Sequence, residues 1–324
     1  MEFPAAVKRY AQDYRALLDS ASVNPSIDTK TPAWWLRALG RVPLPLMYAL
    51  ATMFAILMRD LLRYRMAVAR ENLRHALPEL SVAARRRLLR RHYQRFAEVL
   101  FELPRVAVMS AAELRTRLRL PDSPVLHAEF ARGQSVLVLA AHQGNWEWLL
   151  QAMALDMGVP FLAAYKPPHS ARAERLMLEL RGRFGVRMVA GKRLLREVLR
   201  RRGTVHAIGM VADQMPTSSA GRVWLQFLGR DTAFFPGPAE VARLGGYSAY
   251  FLALRRIRRG CYEARFEPLA AAGEVLDVPA FTARYAARVA ALIRADPEDW
   301  AWTHRRWKLQ RPPQLPPAEL LPNQ

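Results

Sequence analysis

From residue 124 onward the sequence alternates short apolar runs with stretches of helical periodicity, and nothing else in it constrains the fold as strongly. The runs at 135–141 (SVLVLAA), 161–165, 186–189 and 204–211 have the length and composition of buried strands. Between them, 145–157, 171–184 and 194–202 space apolar residues as helices do. Helical stretches at 237–244 and 281–295 enclose two further strand-like runs at 247–255 and 262–266. Such alternation predicts an α/β fold, a layered sheet flanked by helices. There is no internal repeat, and the Pro-rich tail 311–324 predicts an extended or disordered end.

The first third has a different character. Residues 42–58 (VPLPLMYALATMFAILM) carry no charge and are 17 long, the short limit for a spanning helix of about 17–25 residues. Trp34 and Trp35 precede the run as interfacial aromatics do. Arg37 and Arg41 on one side and Arg59, Arg63 and Arg65 on the other leave its orientation undetermined. Two readings stand, a buried core helix and a membrane anchor that spans or lies in the interface, and the anchor is preferred. Residues 1–20 place Ala6, Tyr10, Tyr14, Leu17 and Leu18 at helical spacing, and a polar loop with Asn24-Pro25 follows. No apolar core of a cleavable signal peptide sits near the start. Residues 61–103 read as helix broken at Pro78, with Ser81 as a cap. There Leu88, Leu89, Tyr93, Phe96, Val99, Leu100 and Leu103 form an apolar face. Arg85, Arg86, Arg87, Arg90, Arg91 and Arg95 crowd the rest, as a solvated face or a contact to lipid headgroups. The expected organisation is an N-terminal extension and anchor over 1–60, a catalytic domain over 61–310 and the tail over 311–324.

Charge narrows the partners. The 324 residues include 49 Lys and Arg against 28 Asp and Glu, a net charge of +21. Only Lys8, Lys30, Lys166, Lys192 and Lys308 are lysine, and the arginine, alanine and leucine bias is that of a GC-rich genome. The charge therefore speaks for anionic surfaces more than for nucleic acid. Neither helix-turn-helix spacing nor an aromatic single-strand platform is evident, so no nucleic-acid partner is expected. The single Cys261 excludes a disulfide framework and a Cys-based zinc site. A catalytically silent membrane-binding protein remains as an alternative.

Ligands of open α/β sheets bind beyond the carboxyl ends of the strands. One such end reads Ala141-His142-Gln143-Gly144-Asn145-Trp146-Glu147. Gly144 permits a tight turn, Asn145 can cap the next helix, and Glu147 falls in its first turn. A carboxylate on one imidazole nitrogen leaves the other as a base, so Glu147 is expected to orient His142. The constellation has no enzyme nucleophile, and a substrate hydroxyl would supply it. A second strand end, Asp213-Gln214, either completes the same pocket or opens a turn before Pro216.

His142-Gln143-Gly144-Asn145-Trp146-Glu147 resembles the HxxxxD/E motif of the lipid A biosynthesis lauroyl/myristoyl acyltransferases. Further landmarks of the same family are resembled, in chain order, by Arg70-Glu71-Asn72-Leu73 followed by Leu77-Pro78-Glu79, by Arg181-Gly182-Arg183-Phe184-Gly185, Asp213-Gln214 and Gly237-Pro238, and by the segment 300–308, WAWTHRRWK. The likeness spans roughly 42–308. The segment 222–231, RVWLQFLGRD, is more charged than that pattern leads one to expect beside an acyl groove.

The resemblance implies a glycerol-3-phosphate acyltransferase-like fold with an N-terminal membrane-anchoring helix. It implies acyl transfer from a thioester, usually on acyl carrier protein, to a hydroxyl of a phosphorylated lipid A precursor. A glycolipid, aminolipid or pigment acceptor is the alternative. His142 and Glu147 would be the catalytic pair. Asn145, Arg181, Asp213, Gln214 and Arg305 would bind substrate. The oxyanion donor would be a backbone N–H near Gly144 or the Arg181 guanidinium. No metal or cofactor is required. Inner-membrane anionic lipids would be further partners, with the active site facing the cytoplasm. Trp300, Trp302 and His304 would share one strand face suited, with Arg305 and Arg306, to a headgroup or phosphate, the other reading being a buried strand that ends in solvated arginines.

Overall fold

The computed structural model describes residues 33–216, 221–274, 277–315 and 317–321. The helix expected over 1–20 and the loop at Asn24-Pro25 lie outside the described residues.

Helix α1 (Trp34–Arg41) leads into α2 (Leu44–Ile56), which one π-helical turn, Leu57–Leu61, extends. Met47, Tyr48, Ala51, Ala55 and Met58 of this helix are buried at helical spacing. They face α4 (Val82–Glu102), which follows α3 (Met66–Ala76). Leu46, Leu50, Met53, Ile56 and Leu61 face outward. Leu44–Leu61 is the one helix among the described residues long and apolar enough to cross a membrane, and 28% of it is buried. The helix is thus both anchor-like and core-like: one face packs and the other is bare. Ser81 caps α4 as expected, accepting from the N–H of Ala84.

After α5 (Ala111–Arg117) the sheet begins. Its strands are β1 (Leu118–Arg119), β2 (Val136–Ala140), β3 (Phe161–Tyr165), β4 (Arg187–Ala190), β5 (Ala207–Val211), β8 (Ser248–Arg258) and β9 (Cys261–Ala270), in the order β1-β9-β8-β2-β5-β3-β4. From β8 to β4 all neighbours are parallel, and β9 runs antiparallel to β8. Helix α6 (Pro124–Ala131) precedes β2. Helices α7 (Trp146–Asp156), α8 (Ala171–Arg181) and α9 (Leu194–Arg200) are the crossovers between parallel strands; α10 (Gly237–Gly245) precedes β8 and α11 (Val278–Ala295) follows β9. All five residues of β2 are buried. Leu137 and Leu139 enter one apolar cluster with Phe251, Tyr285 and Trp302; Val136 and Val138 enter the other with Trp148 and Tyr262. A strand covered on both faces reads as an unbroken apolar run, which is why it was legible as a strand.

Two features differ from expectation. The charged segment around 222–231 belongs to a hairpin, β6 (Val223–Phe227) and β7 (Arg230–Phe234), and β10 (Glu319–Leu320) in the tail adds to β6 as a second sheet. The tail is therefore partly folded: Arg311 pairs with Asp231 at 2.8 Å and Leu321 is buried. Residues 300–308 form turns and not a strand, and Trp300 and Trp302 are 2% and 0% exposed. The indoles therefore serve the core and cannot meet a headgroup.

Candidate active site

The pairing register of the central strands builds the site. Ala140 of β2 stands opposite Val211 of β5. Two residues beyond each strand end come His142 and Asp213, so parallel pairing brings them side by side. Asp213 Oδ1 lies 2.6 Å from His142 Nδ1, and its Oδ2 accepts from the His142 backbone N–H at 3.1 Å. Trp300 Nε1 donates to the same Oδ2 at 2.8 Å. Burial alone would raise the Asp213 pKa; the charge of His142 and the hydrogen bonds from His142 and Trp300 outweigh it and hold the carboxyl below its ordinary value. An ionised carboxylate on Nδ1 keeps the imidazole proton there and makes Nε2 the basic nitrogen.

Asp213, and not Glu147, therefore orients His142. Glu147 lies on α7 and turns to Arg181 at the end of α8, whose Nε donates to Oε2 at 2.8 Å while Nη2 contacts Oε1. Four residues separate His142 from Glu147, which falls in the first turn of α7 and is taken up by Arg181. Trp146 touches both pairs. Its indole meets the His142 ring edge-on with centroids 5.4 Å apart, and its Nε1 donates to Glu147 Oε1 at 3.2 Å.

The turn itself is closed by its own neighbours. Gly144 has φ of +56°, a left-handed conformation that favours glycine, and a Cβ there would stand 3.3 Å from the Leu254 side chain. Its N–H, expected as an oxyanion donor, is engaged by Asp299 O at 3.1 Å. Asn145, expected to bind substrate, is 0% exposed. Its Oδ1 caps α7 through Trp148 N–H at 2.9 Å, and its Nδ2 donates to Glu102 Oε2 at 2.7 Å. Both ends of the amide are used inside the protein, so its place is structural. Glu102 also accepts from Tyr48 of α2 and Tyr262 of β9. Gln214 is half-buried beside Asp213, and Arg305 is exposed.

Three further contributors come from the C-terminal third of the chain, and no local pattern ties them to His142 or Asp213. Trp300 reaches Asp213 from far along the chain. Tyr285 of α11 donates its hydroxyl to Ala140 O at 2.8 Å and accepts from Ala212 N–H at 3.2 Å, tying the two strand ends together. His304 packs close by, its Nδ1 buried without a partner, and burial lowers its pKa to about 4. A small pocket opens beside the motif between α4 and residues 298–301, with Phe96, Trp146 and Trp300 on its wall and Arg95 and Asp299 at its polar side. Among the described residues, no group of three or more His, Cys, Asp or Glu is gathered to hold a metal ion.

An imidazole with a fixed tautomer, at the carboxyl end of a central parallel strand and near a carboxylate–guanidinium pair, is equipped for general-base catalysis on a hydroxyl. The model of the bacterial lipid A biosynthesis acyltransferase family matches residues 31–309. The chain is 22% identical over 289 residues to the lipid A biosynthesis palmitoleoyltransferase of Escherichia coli (strain K12), covering 86% of this chain and 92% of that protein. The lipid A biosynthesis acyltransferase of Shigella flexneri is similar to the same extent, at 22% over 289 residues. The chain belongs to the bacterial lipid A biosynthesis acyltransferase family.

Proposed function

We propose that this protein is a membrane-associated O-acyltransferase that moves a fatty acyl chain from acyl carrier protein to a hydroxyl of a phosphorylated lipid A precursor, at the cytoplasmic face of the inner membrane. The observation that carries the reading is the His142–Asp213 pair at the carboxyl ends of β2 and β5, in a chain of this family. The sheet with its histidine at a strand end fits the glycerol-3-phosphate acyltransferase-like arrangement expected from the sequence.

His142 Nε2 takes the proton of the acceptor hydroxyl as the oxygen attacks the thioester carbonyl. A tetrahedral oxyanion forms. Its collapse breaks the C–S bond, and the imidazolium gives its proton to the departing thiolate, leaving an ester and a free thiol. Asp213 stabilises the transient imidazolium. With the Gly144 N–H engaged, Arg181 is the proposed partner of the oxyanion, its guanidinium fixed by Glu147. Preorganised donors of this kind are worth about 3–4 kcal/mol. Gln214 and Arg305 stay as proposed contacts to the acceptor. No cofactor takes part in this scheme.

Support for the proposed membrane association comes from the outer face of α2 with Trp34, Leu61 and Leu62 beside it, and from the exposed Arg63, Arg86, Arg87, Arg90 and Arg91. Apolar surface buries in the acyl boundary while guanidinium groups meet anionic headgroups. The same excess charge favours acyl carrier protein, which is acidic.

The test is transfer of a radiolabelled acyl chain from acyl carrier protein to a lipid A precursor in detergent. His142→Ala is expected to abolish the product; more than a tenth of wild-type turnover in that variant would overturn the reading.

A further inference from the structure

Glu102 closes α4 with its side chain fully buried, and donors from three other parts of the fold converge on it. Tyr48 of α2 donates its hydroxyl to Oε1 at 2.9 Å. Oε2 accepts from Tyr262 of β9 at 2.8 Å and from Asn145 Nδ2 at 2.7 Å. The Glu102 main-chain carbonyl accepts from Trp148 Nε1 at 3.3 Å. Asn145 belongs to the turn that follows His142, and Trp148 to the first turn of α7.

The turn 142–145 is held from two sides. On one side Asp299 O accepts from the Gly144 N–H at 3.1 Å, and Leu292 O accepts from Gln143 Nε2 at 3.2 Å. On the α4 side the hold is the bond from Asn145 to Glu102. Asn145 Oδ1 is occupied as the cap of α7, which fixes the amide and aims Nδ2 at the carboxyl group. Next in the chain is Trp146, whose indole lies against the His142 ring. A displaced Asn145 therefore moves both the backbone that carries His142 and the ring that packs on it. A misplacement of about 1 Å at a reacting group can cost about 10²-fold in rate.

We propose that Glu102 is a positioning residue for the transfer reaction: held by Tyr48 and Tyr262, it fixes the turn 142–145 through Asn145 and so sets where His142 Nε2 meets the acceptor hydroxyl. This rests on the reading of His142 as the base. Through Tyr48, the helix whose outer face is proposed to meet the bilayer and the turn that carries the base share one anchor. What position 102 must supply is an acceptor at the right reach. Glutamine supplies one, its carbonyl oxygen facing Asn145 and Tyr262 and its amide N–H facing the Tyr48 oxygen. Aspartate is one methylene shorter and does not span from Tyr48 to Asn145.

The experiment compares Asn145→Ser, Glu102→Asp, their double variant and the conservative Glu102→Gln, as full-length proteins in detergent micelles with kcat referred to folded protein. Serine keeps the cap of α7 and gives up the bond to Glu102. Each of the first two is expected to lower kcat about tenfold or more while KM stays within about twofold. Because both break one link, the double variant is expected to fall no more than about threefold below the weaker single. Glu102→Gln is expected to stay within about threefold of wild type. The second readout is the NMR resonance of the His142 Nδ1 proton, which lies in the 2.6 Å contact with Asp213 and is assigned by its absence in His142→Gln. It is expected to shift or broaden in Asn145→Ser and Glu102→Asp and to stay in place in Glu102→Gln. Wild-type kcat or an unmoved resonance in folded Asn145→Ser overturns the proposal. So does an additive loss of about a hundredfold in the double variant, or a loss in Glu102→Gln equal to that in Glu102→Asp. If Glu102→Asp does not fold, Asn145→Ser and Glu102→Gln decide the matter, and a loss in Glu102→Gln as large as in Asn145→Ser overturns it. The resonance needs no turnover, so failure of His142 as the base, read from His142→Ala activity, is separately visible.

Discussion

At the scale of single residues, the imidazole has one anionic partner, and the identity of that partner sets the kinetics to expect. Asn at position 213 would present an amide N–H to Nδ1, favour the opposite tautomer and block Nε2 as a base. Asp213→Asn is therefore expected to lower kcat by about 10³–10⁴-fold with little change in KM. Glu147→Gln keeps a hydrogen bond to Arg181 and loses only a charge, so about tenfold is expected. Steady-state kinetics of both variants decide the matter, and an equal or larger loss in Glu147→Gln would return the orienting role to Glu147. Asp299 makes a second residue-scale case. Burial raises its pKa to about 6, with Arg95 and Arg256 offsetting part of the effect. A carboxyl raised in the folded state contributes stability that is present below its unfolded value near 3.8 and is lost as pH rises through about 6. Asp299→Asn keeps the backbone carbonyl that holds Gly144 and removes the buried charge. Its stability relative to wild type is expected to be greater at pH 8 than at pH 5, by about 1–1.5 kcal/mol. Urea melts at the two pH values measure the difference, and a gap that does not narrow at pH 5 contradicts the assignment.

At the scale of elements, the site exists because β2 and β5 are neighbours although β3 and β4 lie between them in sequence. Tyr285 fixes that relation at the point where both strands end. Tyr285→Phe loses a donor to Ala140 O and an acceptor for Ala212 N–H. The expected cost is about 1–3 kcal/mol in stability, with kcat reduced more than KM because the His142–Asp213 distance loosens. Denaturant melts and kinetics check this together, and unchanged kcat in a destabilised protein would confine Tyr285 to packing. The same topology explains what the sequence could reveal. β2, β3 and β5 were legible because buried parallel strands are apolar runs, and His142 stood out by ending one. Asp213 was visible as a strand end, but its partnership with His142 depends on strand order, which no local pattern encodes. Trp300 and Tyr285 reach the site by tertiary packing alone. The β6–β7 hairpin escaped because its turn is Leu228-Gly229, with φ of +50° and +75°. Such a two-residue turn ordinarily advertises itself with Asn or Asp before Gly, and a leucine there gives no signal. Glu147 misled because a carboxylate in the first turn of the helix after the histidine is as well placed for another partner, here Arg181.

At the scale of the whole molecule, α2 has to be tested as a face rather than as a segment. Deleting residues 1–60 would remove Ala51 and Ala55, which lie in the main core cluster. Release from membranes would then be confounded with unfolding. Substitutions on the two faces separate the effects. Met53 is 67% exposed and Leu50 41%, whereas Ala51 is 0% exposed. Leu50→Asp with Met53→Asp places two charges on the outer face without touching α4. If that face lies in the acyl boundary, each charge opposes insertion by roughly 2.5–3.5 kcal/mol at full depth and less near the interface. The double variant is then expected to keep the wild-type melting temperature in detergent and to shift from the membrane pellet to the supernatant on fractionation. Ala51→Asp is expected to unfold in detergent as well, because the carboxylate would enter a packed interface without a partner. Retention through the arginines on α4 would show as release by salt, since headgroup contacts are screened over about 10 Å at 0.1 M while apolar insertion is not. A double variant that remains wholly in the pellet at high salt would mean that the outer face of α2 is not what holds the protein there.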